Sequence, residues 1–569
     1  MTVRVRPAVL ALPPYRGLPA GRPAVRLDGN ESPFGPVARA RYPDTEPLRV
    51  AWARYLTVPR GALLVTAGSG PALALIAELV LDVGDAAVML APSFELYGLA
   101  ARRRGARCIA VPTRPGARFP LVGVRRALSD DAVRLCLLGV PDNPTGVSPS
   151  QEQLRDLARA FPNILFVVDE AYGEFAGVSA LRLARTAPNV LVLRTMSKAW
   201  GLAGLRVGAV VGPTRLIRLL ARLNVPYPVT SVAASAACEV LGDDRAMRAT
   251  VRHVRREQPR LVRALRRTGL TVRATAANFV LVDRGTAPRA AAFVAALDLA
   301  GIAVRDRSHL PGMAGTVRIS VGTVADHVAL QEALRLLLAP FPQALLFDMD
   351  GTLVDVSRSY DEIIWRLVQT FADGKAGSRD EVLAIKHRPD ANDDVDAVML
   401  ALAERRVDVD RAEVSGAFQA LYGGPRGLHR RDRWFLTVND LRQLARRQPL
   451  AVVTGRPRHD LSLAFRRMPA RQCFRALVSS DDTRRPKPDA APVRMALRLL
   501  GVRTGWMIGD SPADLLAARA AGVPAIGIAT GPRAALLRGY HPMAVLDSAT
   551  RLTAIMRGRD LLAAAEEES

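Results

Sequence analysis

Two stretches decide what this chain can fold into: RTMSKAWGLAGLRVG, Arg194 to Gly208, and FDMDGTLVD, Phe347 to Asp355. The first offers Lys198 as an amine nucleophile, and the second sets Asp348 and Asp350 directly after a short apolar run. An amine that condenses with a carbonyl and a carboxylate that attacks phosphorus need different cofactors, different surroundings and different folds. The chain therefore reads as two enzymes on one polypeptide.

At 569 residues a single hydrophobic core is excluded, and the length leaves room for about three to four units of domain size. Hydrophobic residues at 49% and charged residues at 23% are ordinary for a soluble globular protein. No apolar run reaches the roughly 18 residues that a membrane span needs. The stretch Ala8 to Leu12 is cut by Pro13 and Pro14, too short for a secretory signal, so the expected compartment is the cytoplasm. Cys108, Cys136, Cys238 and Cys473 lack any Cys-x-x-Cys spacing and are expected as buried free thiols. The net charge of +25 comes from arginines spread along the chain, not gathered in one stripe, which argues against a nucleic-acid partner. Of 79 lysines and arginines only four are lysine, Lys198, Lys375, Lys386 and Lys487, and two of these lie in catalytic motifs. A guanidinium cannot replace lysine as an amine nucleophile.

Short apolar runs alternate with amphipathic stretches. Ala87 to Leu90, Leu135 to Val140 and Ile164 to Val168 read as buried strands, and Gln151 to Ala160 as a helix. The expected fold class is α/β, with parallel sheets covered by helices on both faces. The pattern runs to a helix at about Ala325 to Ala339, which Pro340 and Pro342 end, and an apolar strand, Ala344 to Phe347, follows at once. The first half is thus expected over residues 1–340, with a large lobe at about 40–240 and a small lobe at about 10–30 and 245–340. The connection, Pro340 to Gln343, spans at most roughly 14 Å, so the halves are expected close together. The second half is expected over 344–569, ending in a frayed acidic tail, Ala563 to Ser569.

In the first half, FVVDEAYGEF (Phe166 to Phe175) puts Asp169 just after an apolar strand, where sheet enzymes collect catalytic groups. Together with TAGSG (Thr66 to Gly70), PDNPTG (Pro141 to Gly146) and the Lys198 segment, it supplies the parts that pyridoxal phosphate chemistry needs. Lys198 bonds covalently to the cofactor, and Asp169 keeps the pyridine nitrogen protonated. Asn143 and Tyr172 donate to the ring hydroxyl oxygen. Ser69, Ser197 and Arg206, with the backbone of the Gly68 to Gly70 turn, bind the phosphate at a helix N-terminus.

With these segments in order, residues 10–340 resemble the fold-type I aminotransferases, and within them the histidinol-phosphate aminotransferase group. LDGNESPFGP (Leu27 to Pro36), RYPD (Arg41 to Asp44), APSFELY (Ala91 to Tyr97), ANFVLV (Ala277 to Val282) and GIAVRDRS through VRISVGT (Gly301 to Thr323) extend the match. The resemblance implies that Tyr42 reaches the cofactor phosphate of a neighbouring subunit, hence a homodimer. It implies that Phe94 stacks on the pyridine ring, that Arg318 binds the substrate's anionic group, and that Tyr15 and Arg305 hold a substrate phosphate. Gly70-Pro71 departs from the family, which often has an acid there. The implied reaction moves an amino group between a phosphorylated amine and glutamate or 2-oxoglutarate, with threonine-phosphate decarboxylation and aromatic transamination as alternatives.

In the second half, Asp348 is placed as nucleophile and Asp350 as the acid that protonates the leaving oxygen and later activates water. AVVTGR (Ala451 to Arg456) adds Thr454, RPKPD adds Lys487, and MIGDSPADLLAARAAG (Met507 to Gly522) adds Asp510 and Asp514. This set resembles the haloacid dehalogenase superfamily over about residues 343–560. The resemblance implies that Thr454 and Lys487 hold phosphoryl oxygens, and that Asp348, Asp510 and the Asp350 carbonyl bind magnesium. Asp514 then supports Lys487 or the metal shell. The helix-rich stretch at about 356–445 is expected as a cap that excludes water and selects substrate; Arg430, Arg431 and Arg433 within it read as a solvated face, with contact to an anionic substrate as the alternative. Two successive steps of histidine biosynthesis, transamination to histidinol phosphate and its dephosphorylation, explain the fusion. A phosphoglycolate-type small-molecule phosphatase and a noncatalytic second module are the alternatives.

Overall fold

The computed structural model describes residues 3–13, 30–32, 34, 41–386, 388, 394–466 and 468–567. They form two compact units, one of Met1–Val294 with Val304–His327, the other of Ala295–Ala303 with Val328–Glu568.

The first unit is built on seven strands: β1 (Leu63–Thr66), β2 (Ala86–Ala91), β3 (Arg107–Pro112), β4 (Val133–Gly139), β5 (Leu165–Asp169), β6 (Val190–Thr195) and β7 (Gly208–Val211). Their order is β1-β7-β6-β5-β4-β2-β3. Only β7 runs against its neighbours. Because successive side chains point to opposite faces, Phe166, Val168, Val190 and Val192 join the apolar cluster on one side, while Leu165, Val167, Leu191 and Leu193 join the cluster on the other. Burial on both faces is what a helix-covered parallel sheet requires. Each such side chain contributes about 1.5–3 kcal/mol relative to exposure. The expected helix is observed over Gln151–Ala160, where the Ser150 hydroxyl and Gln153 form a reciprocal capping box.

A second, antiparallel sheet holds β8 (Thr271–Ala274), β9 (Phe279–Asp283), β10 (Arg305–Asp306) and β11 (Thr316–Ser320) in the order β10-β11-β9-β8.

The second unit holds β12 (Leu345–Phe347), β13 (Val354–Asp355), β14 (Arg433–Trp434), β15 (Leu450–Val453), β16 (Phe474–Val478), β17 (Trp506–Gly509), β18 (Ala525–Ile528) and β19 (Ala544–Leu546). Six of them form a parallel sheet ordered β16-β15-β12-β17-β18-β19. Strand β12 lies inside it, so Asp348 emerges between β15 and β17. The antiparallel pair of β13 and β14 brackets an insertion with four helices, Tyr360–Phe371, Arg379–Ile385, Asp394–Glu404 and Arg411–Gly423. The helix Val438–Arg447 lies beyond β14 and packs on the C-terminal helix Ala549–Glu567.

The helix expected at about Ala325 to Ala339 runs over Val324–Leu338. The boundary between the units falls inside it, between His327 and Val328, ahead of the Pro340 to Gln343 connection that the sequence marks. The reason is its packing: Glu332 takes two hydrogen bonds from Arg538, at 2.9 and 3.0 Å. The buried Arg559 closes the helix end, donating to the carbonyls of Leu336 and, at 2.5 Å, Ala339. Its guanidinium lies 4.2 Å from the Phe341 ring centroid and 5.1 Å from that of Trp506. Gln343 accepts from the amides of Arg503 and Thr504 at 3.1 and 3.2 Å. The connection is therefore pinned along its length, not slack. The acidic tail also departs from expectation, because the last helix continues to Glu567 and buries Leu562 and Ala565. Of the four free cysteines, Cys136 and Cys473 are buried, whereas Cys108 and Cys238 are half-buried.

Replacing Arg559 leaves carbonyls at a buried helix end without a donor, each of which costs about 1–3 kcal/mol. Arg559→Met is expected to destabilise the second unit by about 2–3 kcal/mol, read as a lower urea midpoint by tryptophan fluorescence. An unchanged midpoint would remove the clamp from this account.

Candidate active sites

In the first unit the site gathers at the carboxyl ends of β5 and β6. Asp169, the last residue of β5, is buried and accepts from the Tyr97 hydroxyl at 3.1 Å and the Ala171 amide at 3.0 Å. Burial raises its pKa, opposed by those two donors and by Lys198. Lys198 follows β6, with Nζ 5.5 Å from the Tyr172 ring centroid. It stays accessible to solvent, yet desolvation and the Arg318 charge lower its pKa.

Gly68 caps the helix Ser69–Val80 with φ +90°, a conformation that glycine tolerates best. A Cβ there would lie 2.8 Å from the Arg206 guanidinium, and a Cβ on Gly208 would lie 2.5 Å from the Gly68 carbonyl carbon. The turn is thus a cradle with no room for side chains. Arg206, itself left-handed at φ 54°, donates to the Ser197 hydroxyl at 3.3 Å. The amides of Ser69 and Gly70, the hydroxyls of Ser69 and Ser197 and this guanidinium form a donor set that fits a phosphate. The buried carboxylate of Asp169 and the amine of Lys198 fit the ring and aldehyde of the same cofactor, so the residues present suit pyridoxal phosphate.

Phe94 precedes the helix Glu95–Arg102 and packs edge-on against Tyr97, ring centroids 5.6 Å apart. Arg318, on β11, donates to Asn143 Oδ1 at 2.9 Å and lies 5.5 Å from the Phe279 ring centroid. That engages the Asn143 oxygen and leaves its NH2 as the donor. Arg305 pairs with Arg318 in the sheet register and is exposed. Tyr42 is exposed and stacks on Tyr227 at 4.6 Å. Tyr15 lies outside the described residues. Two members of the site carried no role in the sequence reading although both sit in quoted motifs. They are Tyr97 and Asp142, the latter buried, held by Ser93 and Thr145, and pushed up to about 7 by burial.

In the second unit Lys487 Nζ donates to Asp348 Oδ1 at 2.7 Å, to Asp514 Oδ1 at 2.5 Å and to the Val453 carbonyl at 3.2 Å. Asp514 is fixed from its other side by Ser511, whose amide and hydroxyl donate to Oδ2 at 3.1 and 2.7 Å. Asp348 is buried, and desolvation together with Asp514 raises its pKa well above the usual carboxylate range. Asp348, Asp510 and Asp514 offer oxygens within 4.8 Å of one another. Gly351 permits this closeness, because a Cβ there would fall 2.1 Å from Asp510 Oδ2. The hard oxygens of Asp348 and Asp510 beside this gap fit a magnesium ion, while both Asp514 oxygens already accept from Lys487 and Ser511. Thr454 follows β15, is buried, and accepts the Arg456 amide at 3.1 Å.

The carboxylate of Asp350 turns to Arg456, which donates to Oδ1 and Oδ2 from Nε at 2.8 and 3.1 Å. Arg456 is buried, donates onward to the Tyr422 hydroxyl at 2.5 Å and to Asp432 at 3.3 Å, and faces the Tyr360 ring at 4.7 Å. Tyr360 and Tyr422 belong to the inserted helices, so one guanidinium ties Asp350 to the cap. The sequence quoted Arg456 as the end of a motif without giving it this task. Arg430, Arg431 and Arg433 are exposed.

Comparison with known proteins finds a family for each half of the chain. The family model for class I and II aminotransferases matches residues 34–337, and that for haloacid dehalogenase-like hydrolases matches residues 342–522. The chain belongs to the class I and II aminotransferases and carries a haloacid dehalogenase-like hydrolase domain; it is an enzyme of the α/β class. A histidinol-phosphate aminotransferase of Roseiflexus castenholzii is 36% identical, covering 59% of this chain and 98% of that protein. An aromatic amino acid aminotransferase of Thermobifida fusca is 35% identical, covering 57% and 94%. The crystal structure of histidinol-phosphate aminotransferase from Sinorhizobium meliloti with pyridoxal 5'-phosphate is 28% identical, covers 52% of this chain and 82% of that one, and gives a TM-score of 0.48. Among the described residues, no helix is long and apolar enough to cross a membrane.

A hydrogen bond to a charged group is worth about 1.5–3 kcal/mol. Tyr97→Phe is therefore expected to weaken retention of pyridoxal phosphate roughly tenfold, measured by equilibrium dialysis; unchanged retention would show that Tyr97 does not serve the Asp169 carboxylate.

Proposed function

We propose that the chain is a bifunctional enzyme whose first half, about residues 1–340, makes histidinol phosphate from imidazole-acetol phosphate and glutamate. Its second half, from 344 onward, hydrolyses a phosphate monoester, histidinol phosphate being the foremost substrate. Two complete nucleophile sites on one chain support this reading: Lys198 beside Tyr172 and Arg318, and Asp348 against Lys487.

In the first site pyridoxal phosphate supplies an electron sink for the bond broken at the substrate α-carbon. The protein's part is to hold and to move protons. The lowered pKa of Lys198 increases the share of free amine that can take the α-proton. Asp169, fixed by Tyr97 and the Ala171 amide, holds charge at the ring nitrogen. The turn at Gly68 to Gly70, with Ser197 and Arg206, anchors the phosphate end. Arg318 binds the incoming anion, and Asn143 is oriented by Arg318 for a donor role. Tyr42 completes the site across a homodimer of cytoplasmic protein, as the family resemblance implies.

In the second site Asp348 forms a bond to phosphorus as the leaving alkoxide departs, and Asp350 gives that oxygen its proton. Asp350 then takes a proton from the water that cleaves the aspartyl-phosphate. Lys487 and Thr454 hold the phosphoryl oxygens, and Asp514 aims Lys487. Asp348, Asp510 and the Asp350 carbonyl would hold a magnesium ion, which would supply positive charge beside the phosphoryl group. Release of both Asp350 oxygens by Arg456 precedes its proton transfers.

The decisive experiment gives cofactor-loaded protein histidinol phosphate and 2-oxoglutarate and follows glutamate and free phosphate. Both products are expected, and a magnesium chelator is expected to remove only the phosphate. Lys198→Ala is expected to abolish glutamate formation at least 10³-fold while phosphate release persists. Glutamate without phosphate would overturn the assignment of the second substrate, and activity on threonine phosphate alone would overturn that of the first.

A further inference from the structure

Asp142 carries no part of the chemistry described above, yet its side chain is fully buried at the carboxyl end of the first sheet. It follows closely on Gly139, which ends β4 and stands opposite Asp169 in the register with β5. A Cβ on Gly139 would lie 2.8 Å from Asp142 Cα and 2.9 Å from Oδ1, so the strand end is left bare for this residue. The main chain of Asp142 closes its own loop. Its amide donates to the Val147 carbonyl at 3.1 Å, and its carbonyl accepts from the Gly146 amide at 2.9 Å.

The carboxyl group faces two ways. Oδ2 accepts from the Thr145 hydroxyl at 3.1 Å within the loop, and Thr145 Oγ1 in turn accepts from the Val147 amide at 3.2 Å. Oδ1 accepts from the Ser93 hydroxyl, 49 positions away along the chain. Ser93 comes after β2, the strand beside β4, so both turns stand at the same end of two paired parallel strands. The residue after each partner belongs to the site. Phe94 leads into the helix Glu95–Arg102, and Asn143 accepts from Arg318 at 2.9 Å. Burial pushes Asp142 up to about 7, with the Ser93 and Thr145 donors working against it and the Asp169 charge adding to it. An aliphatic side chain would fill this space without the cost of burying a carboxyl group, but it could not accept from a hydroxyl on either side.

We propose that Asp142 is a positioning residue of the aminotransferase site: its carboxyl group joins the turn that carries Phe94 to the loop that carries Asn143, and so sets the gap between the two side chains that meet the cofactor ring. Phe94 covers a face of that ring and Asn143 donates to its hydroxyl oxygen, so a shift of either turn changes the fit of both. The joint itself is a property of the chain. Only its consequence for the ring rests on the assignment of pyridoxal phosphate to this site.

The test compares the full chain with Asp142→Ala, Asp142→Asn and Ser93→Ala by amide hydrogen exchange without cofactor and by pyridoxal phosphate retention in equilibrium dialysis. In Asp142→Ala, residues 91–97 and 142–147 are expected to exchange faster together, and the dissociation constant for pyridoxal phosphate to rise about tenfold. The pH midpoint of the bound cofactor's visible absorbance is expected to move up by about 0.5–1 unit, because the ring oxygen loses a donor that favours its anion. Asp142→Asn can still accept from Ser93 and can donate to Thr145, so it is expected to stay within about threefold of the unaltered chain in retention and to keep the midpoint. Ser93→Ala cuts the joint from the other side at a half-buried position, and it is expected to reproduce the looser retention even where Asp142→Ala folds poorly. Faster exchange in only one of the two segments, or an asparagine variant as impaired as the alanine one, would overturn the inference. So would loosened segments with undiminished retention and an unmoved midpoint. An unaltered chain that retains no pyridoxal phosphate, with both segments loosened in Asp142→Ala, would uphold the joint and sink the cofactor assignment instead.

Discussion

A carboxylate at the buried carboxyl end of a parallel strand is expensive to keep charged, and both halves of this protein are arranged around giving one its partners. Asp169 ends β5 under the Tyr97 hydroxyl and the Ala171 amide. Asp348 follows β12 and meets Lys487, which Asp514 and Ser511 hold in turn. Burial raises the proton affinity of each carboxyl group, and the partners work against it. Burial outweighs those partners, and the donors fix the direction in which each carboxyl group points. A sheet with helices on both faces supplies the dry floor that this requires.

The same logic explains why the inserted helices cannot be considered apart from the Asp350 carboxylate. Arg456 is buried among Asp350, Asp432, Tyr360 and Tyr422, with two carboxylates and two rings around a single cation. Ser359 donates to Asp432 as well, and Tyr360 donates to Asp460 at 2.8 Å. Moving the inserted helices would strip Arg456 of partners while it still holds Asp350. Orientation of the Asp350 carboxylate and position of the inserted helices are thereby one variable.

Much of this was legible in the sequence, and the reasons differ by residue. Lys198, Asp169 and Asp348 were readable as candidates because each sits beside an apolar run that announces a strand, and Lys487 because it is one of four lysines in an arginine-rich chain. The helix Gln151–Ala160 was readable because its capping box and apolar spacing agree. Tyr97 and Asp142 were hidden because their partners lie 72 and 49 positions along the chain, at Asp169 and Ser93. The helical course of the acidic tail was misjudged because local charge outweighed the buried Leu562 and Ala565.

The clamp at Arg559 bears on how this fusion can be handled and how it has aged. Most of the helix Val324–Leu338, which the aminotransferase family model covers to residue 337, is packed within the second compact unit. A cut at Pro340 to separate the enzymes would take Glu332 from Arg538 and the Leu336 carbonyl from Arg559. The hydrolase piece would be left with two orphaned guanidinium groups. Joined chains that come to share an element in this way have lost the option of coming apart, and a workable dissection would have to let the hydrolase keep a helix that belongs, by ancestry, to its neighbour.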